Sequence, residues 1–448
     1  MGKFTIQPSV RVLVSAILGV GCGETPQKGP PPVTPPVNDG QDILRTDIVL
    51  NIDTLAGDAT IEVLPYAGVV ELNVEGLQVD AVQVAGEPVE WTIHQGLMVV
   101  DTGDTPTTLS VAYHFSERSM STFDGWIPRL GVSFIWPHAC GNLYPCNPDT
   151  RDGVVLGLTV QGVPENQTAL APADTVGEAP AYQIGLAMGN YQQIPLGETD
   201  AGTRISAWYP PEIASEADTR AGTAHLRDVV DFYERTYGPY SFGADMRSVV
   251  VDWGWDSYGG MEHHPYFHVA KWDVAIEEVH AHEAGHGWFG AGVRLECWED
   301  FVLSEGTTTY ITARALAEVG APDVWDMYVD DFLIPICEGQ DYNNRAWRDT
   351  CDVTDFTVDP LWSLATYMKG ACFYGEVADL IGAEELDAIL AEFYQTHHNQ
   401  PARMQDMIDL LHARTRPDAA AAIEVLTEEW LLERACPENY ADRCRVRD

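Results

Sequence analysis

His282-Glu-Ala-Gly-His286 is the stretch that most restricts how this chain folds. On a helix, residues four apart share one face, so His282 and His286 can grip a single metal ion. Neutral imidazoles suit Zn²⁺, which needs a third protein ligand and one open position for water. Glu283 stands beside the first ligand, where a carboxylate can take a proton from that water. Glu305, in the uncharged run Leu303-Ser-Glu-Gly-Thr-Thr-Thr-Tyr310, follows His286 by 19 positions. A second helix packed antiparallel to the first returns a carboxylate to the metal at about that distance. Glu305 is thus a candidate third ligand beside His282 and His286, with a surface glutamate as the alternative reading.

The rest of the chain divides into two textures. At roughly 150 residues per domain, 448 residues make two or three domains. From 42 to about 203 the runs Ile48–Asp53, Ala59–Leu64 and Val70–Glu75 mostly alternate apolar and polar residues, with Ala81–Val84 a shorter piece of the same kind. Gly, Asp and Pro turns separate them, which predicts an all-β saddle or sandwich domain. After about 204 the pattern changes. Ala224–Arg235 has helical periodicity, Met246–Trp253 reads as a strand, and helices dominate from Ala275 onward. The second body, 204–448, is thus expected to be α+β and mostly helical towards its end.

With these residues in hand, the chain resembles the aminopeptidase N family of gluzincin zinc metallopeptidases. The family pattern H-E-x-x-H-x-W-F-G, a tryptophan, then L-N-E-G-x-x-x-Y corresponds to His282–Gly290, Trp298, and Leu303-Ser-Glu-Gly306 with Tyr310. Gly259-Gly-Met-Glu-His263 is similar to the G-x-M-E-[N/H] strand, and Tyr367-Met-Lys-Gly-Ala371 to Y-x-K-G-A. Leu143-Tyr-Pro-Cys146 and Val154–Val160 look like the F-P-C segment and the strand after it. The resemblance implies a thermolysin-like catalytic domain in which His282, His286 and Glu305 bind zinc and Glu283 is the general base. It also implies that Tyr367 donates to the oxyanion. Gly259, Gly260, Met261 and Glu262 would hold the substrate backbone and its free α-amine. The implied activity is removal of N-terminal residues from peptides by a zinc-activated water. A zinc endopeptidase on the same fold is the alternative, with a non-catalytic surface binding module a more distant one.

Two departures bear on that carry-over. Many relatives have a second amine anchor about ten residues before the cysteine of the F-P-C segment, and here that position is Trp136, followed by Pro137. The 143 residues after Glu305 suffice to finish the catalytic helices. The expectation is a short form without the C-terminal helical-repeat domain and with a more open cleft. Among nearby histidines, His280 precedes His282 by two positions and should point away from the metal. His263, His264 and His268 lie along a presumed strand without forming a second metal site. Asn166-Gln-Thr168 fits a glycosylation acceptor, a reading that the lipoprotein-like start weighs against.

That start consists of Lys3, Arg11 and the apolar run Val12–Gly21, which ends at Cys22. Ten apolar residues are too few to span a bilayer but suit a signal peptide over 1–21. Small residues before a cysteine resemble a bacterial lipoprotein signal, with Cys22 the lipid site and 22–41 a Pro-rich tether. The expected location is the bacterial cell envelope, or else the medium after simple cleavage. Removing Cys22 from the nine cysteines leaves eight, an even number that suits an oxidising compartment. Close spacing favours Cys140–Cys146, Cys337–Cys351 and Cys436–Cys444, leaving Cys297 with Cys372, although the connectivity stays open. A formal charge of −43, with only four lysines, argues against nucleic acid as a partner. The expected partners are peptides with a free N-terminus.

Overall fold

The protein is described here from a computed structural model that covers residues 40–119, 124–135, 139–253, 259–339, 345–352 and 363–445. Cys22, the signal-like segment, the tether, Trp136 and Pro137 lie outside these residues. Among the described residues no helix is long and apolar enough to cross a membrane.

The first body is all β. Strand Ala56–Leu64 buries Gly57, Ala59, Ile61 and Val63 while Asp58, Thr60 and Glu62 face water. This period-two pattern marks a strand with one face on a core. It lies in a seven-stranded sheet between Asp42–Asn51 and Thr107–His114. Val154–Gln161 joins the same sheet parallel to Asp42–Asn51, with Ile48 opposite Leu158. A three-stranded sheet and a four-stranded sheet complete the body.

The second body begins with a five-stranded mixed sheet in the order Gln192–Glu198, Arg204–Tyr209, Asp245–Val251, Tyr266–Ala270, Gly260–Met261. Strand Gln192–Glu198 pairs with Arg204–Tyr209, so the sheets change over near residue 190, earlier than the change of texture in the sequence. Among the described residues Gly260–Met261 forms one edge, antiparallel to Tyr266–Ala270, with Met261 opposite His268. Helices follow. Leu226–Thr236 buries Val229, Val230, Phe232 and Tyr233 on its inner face. The Tyr233 hydroxyl donates to Ala281 O (3.1 Å) and lies 3.3 Å from Thr312 Oγ1, tying three helices together. Leu364–Ile381 packs on the chain around Glu305 at its glycines: a Cβ on Gly306 would come within 2.9 Å of Gly370 Cα.

The two bodies meet over partly buried polar contacts. Arg294 donates to Glu178 Oε2 (3.2 Å) and to the Arg151 carbonyl (3.3 Å), and Tyr191 donates to the Val250 carbonyl (3.0 Å).

All eight cysteines in the described residues are paired, as Cys140–Cys146, Cys297–Cys351, Cys337–Cys436 and Cys372–Cys444. Only the first pair follows the sequence spacing. The other three correct it, because they span 54 to 99 positions and are brought together by tertiary packing. Cys372, for example, lies midway along Leu364–Ile381 and meets Cys444 in a short helix from the end of the chain.

Candidate active site

His282 and Glu283 sit on helix Glu277–Gly285, whose first turn carries Glu277 and Glu278 where the helix dipole favours acids. His286 is the residue that caps its C-terminus. The chain then returns through a π-helical turn, Val302–Gly306, before continuing as helix Thr307–Glu318. Such widened turns recur at functional sites, and this one presents Glu305 to the two histidines.

The three side chains converge. His282 Nε2 lies 3.1 Å from Glu305 Oε2, His286 Nε2 lies 3.3 Å from the same oxygen, and the two Nε2 atoms are 3.1 Å apart. Ligand atoms around a tetrahedral ion with ~2.0 Å bonds are ~3.3 Å apart, so the triangle has the dimensions of a zinc site's protein face. The tautomers fit as well. His286 Nδ1 donates to the Phe289 carbonyl (2.9 Å), which leaves the Nε2 lone pair for a metal. His282, His286 and Glu305 are all buried, and they form the one such donor group found among the described residues.

The electrostatics also call for a cation. Burial opposes charge on His286, yet the carboxylates of Glu305, Glu262 and Glu283 outweigh it and raise His286 to about 10. Burial likewise opposes a charged Glu305, but His286 and His282 pull it down to about 2. A site that stabilises positive charge at His286 and negative charge at Glu305 suits a divalent ion.

Around the triangle lie the other residues read from the sequence. Glu283 is buried, and its Oε2 has no hydrogen-bond partner among the described residues. Burial, chiefly, raises its carboxyl well above the ordinary range. Its Oε1 lies against the edge strand so closely that a Cβ on Gly260 would be 2.2 Å away. Glycine at 260 therefore leaves the room that this carboxylate occupies. Glu262, at the end of the same strand, is buried near His286 and Glu305, and burial raises its pKa. The Tyr367 ring stacks on His282, with centroids 5.9 Å apart and planes at 23°, and its hydroxyl bonds to Glu305. Gly259 leads into this strand, and a Cβ on it would lie 3.2 Å from Asp273 Oδ2.

The discounted histidines have structural partners. His280 is held between Ser248 Oγ (2.8 Å) and the Val274 carbonyl (2.9 Å), away from the triangle. His264 Nε2 donates to the Glu283 carbonyl (3.1 Å) while Tyr240 donates to its Nδ1 (2.9 Å), so it steadies the helix backbone at Glu283. His263 and His268 pair through their Nδ1 atoms at 3.2 Å. Sequence reasoning missed this role of His264. It also missed the Tyr328 hydroxyl bond to Glu278 Oε1 (2.7 Å), one turn before His282, and Tyr182, whose hydroxyl reaches Glu262 across the two bodies. None of these partners lies close to its target in sequence, and only the His-rich context of Glu262 hinted at His264.

The profile described as "Peptidase family M1 domain" matches residues 258–430. "Leucine aminopeptidase 2" of Emericella nidulans is 23% identical over 324 aligned positions, covering 64% of this chain and 49% of the relative. The chain thus spans about half the length of that relative. The M1 zinc metallopeptidase of Deinococcus radiodurans, also solved as a mutant bound to a Tyr-Ser-Ala substrate, superposes with a TM-score of 0.73. That match has 19% identity and covers 89% of this chain and 95% of the other. Yeast LTA4 hydrolase in complex with bestatin also gives a TM-score of 0.73, at 18% identity, over 89% of this chain and 69% of its own. At these identities the solved structures establish the fold.

A buried His-His-Glu donor set between two packed helices, beside an edge strand of a mixed sheet, defines a gluzincin-type zinc metallopeptidase fold. Within that class, residues 258–430 are similar to the peptidase family M1 domain, and the chain shares the fold of solved M1 zinc metallopeptidases.

Proposed function

We propose that the protein is a zinc aminopeptidase that removes N-terminal residues from peptides. The carrying observation is the convergence of the His282–His286–Glu305 triangle with two further buried carboxylates, Glu283 and Glu262. When bound, the zinc ion supplies Lewis acidity to the scissile carbonyl and lowers the pKa of a water towards ~7. His282, His286 and Glu305 hold it. Glu283 accepts a proton from the attacking water on its unpartnered oxygen and passes it to the leaving amine. The Tyr367 hydroxyl donates to the carbonyl oxygen as it becomes an oxyanion. Edge strand Gly260–Met261 aligns the substrate backbone by strand addition, and Glu262 accepts the ammonium. That carboxylate favours exopeptidase over endopeptidase action, since an internal peptide bond offers it no charge.

A panel of aminoacyl-coumarins and their N-acetylated counterparts tests this reading. Free-amine substrates should turn over, lose turnover on chelation and regain it with added Zn²⁺. Equal cleavage of the acetylated set would replace the aminopeptidase reading with an endopeptidase one.

We further propose export, with lipidation at Cys22. The signal-like run before Cys22 and the four disulfides support it. Mass spectrometry of the mature N-terminus should find a diacylglyceryl group on Cys22, whereas an unmodified cytosolic chain would refute this. We also propose that the β domain read at 42–203 and the catalytic domain at 204–448 divide near residue 190, because strand Gln192–Glu198 pairs within the second sheet.

A further inference from the structure

Glu262 is held by side chains from the opposite body. The Tyr182 hydroxyl donates to Glu262 Oε1 (3.0 Å), and Gln183 Nε2 donates to the Tyr182 oxygen (3.3 Å). Tyr182 is 5% exposed, Gln183 0% and Glu262 9%, so water competes little for these bonds. Both residues belong to the short turn Ala181–Gln183. That turn is fixed in place because Tyr144, inside the loop closed by Cys140–Cys146, donates to the Ala181 carbonyl. The Tyr182 ring packs against Trp298, with centroids 6.5 Å apart.

The direction of this relay is determined by donor chemistry. A tyrosine hydroxyl has one proton, and a carboxylate has none to give. Because the Gln183 amide donates to the tyrosine oxygen, the tyrosine proton goes to Glu262 Oε1. That bond engages Oε1 and restrains the group's orientation, so an incoming ammonium would meet the carboxylate chiefly at Oε2.

We propose that Tyr182, braced by Gln183, is a positioning residue that makes the site select a free α-amine. The proposal rests on the reading of Glu262 as the ammonium acceptor. Relatives described by the sequence resemblance use a second anchor before the F-P-C segment, at a place where this chain has Trp136. In this chain, part of that orienting work falls to a different turn of the β body.

The test compares two small ligands on the zinc-loaded full chain by titration calorimetry. Leucinamide carries the α-amine, and 4-methylpentanamide is the same molecule without it. The wild type should prefer leucinamide. Tyr182→Phe keeps the ring and its packing, and should cut that preference about tenfold, the worth of one hydrogen bond to a charged group, while leaving 4-methylpentanamide binding and zinc content unchanged. Gln183→Met keeps the volume and tests the relay from a second position, with a smaller loss in the same direction. An unchanged preference in both variants overturns the proposal. So does an equal weakening of both ligands, which marks a merely structural role, or a wild type that ignores the amine. Turnover of leucyl-coumarin by the same preparations reports separately on the peptidase assignment. Its absence would sink that assignment, while the ligand preference would still decide the role of Tyr182.

Discussion

At Tyr367 the ring lies on His282 and the hydroxyl bonds to Glu305, so the phenol is already aimed at the centre of the site. Removing such a preorganised donor costs on the order of 10²–10³ in rate. Tyr367→Phe should therefore lower kcat by about that factor with KM nearly unchanged, and steady-state kinetics on leucyl-coumarin would check it. Gly260 makes a steric argument instead. A methyl there would stand 2.2 Å from Glu283 Oε1, and the carboxylate would have to swing aside. Gly260→Ala is expected to lose most turnover while zinc content, read by atomic absorption, stays at the wild-type level. An alanine variant with normal kcat would show that Glu283 does not work from this position.

Glu305 and Tyr367 come from different helices, and their separation is governed by glycine-to-glycine contact. A Cβ on Gly370 would approach Gly306 Cα to 2.7 Å, which is backbone and cannot rotate away. Gly370→Ala should push the Tyr367 helix outward, lowering both kcat and thermal stability, the latter by about 1–3 kcal/mol for an overpacked contact. Denaturant unfolding measured beside kinetics would show whether the two losses occur together. At this scale the sequence was legible where spacing repeats a helical period. His282 and His286 share one face by arithmetic, and the strand around Ile61 declares itself by alternation. It was opaque where tertiary packing makes the partners. Nothing near Tyr182 announces that it lies against Glu262, 80 positions later. The cysteines at 337 and 351 look like neighbours until tertiary packing sends them to Cys436 and Cys297. Strand Gln192–Glu198 looked like more of the first body because a strand's sequence does not say which sheet it joins.

Over the whole molecule, three disulfides close loops of 54 to 99 residues within the catalytic body, each worth about 4–5 kcal/mol in the chain-entropy account. That leaves room for strained or uncompensated groups, and Asp273 is one. It is buried, neither carboxylate oxygen has a hydrogen-bond partner among the described residues, and burial with help from Glu278 raises it to about 7. A carboxyl whose folded pKa exceeds its unfolded value holds its proton longer in the folded state. Its stabilising contribution is full below about pH 4 and is lost as pH rises towards about 7. Asp273→Asn should therefore match the wild type in thermal stability near pH 4 and exceed it at pH 8. A variant less stable at pH 8 would mean that the charged form has a partner.

The account as a whole rests on one division of labour, in which His282, His286 and Glu305 hold the metal and Glu283 moves the proton. Metal content and turnover measured together on purified Glu283→Gln protein test it most directly. The prediction is one zinc per chain, as in the wild type, with turnover of leucyl-coumarin reduced at least about 10³-fold. Normal turnover in that protein, or loss of the zinc along with the activity, would contradict the assignment.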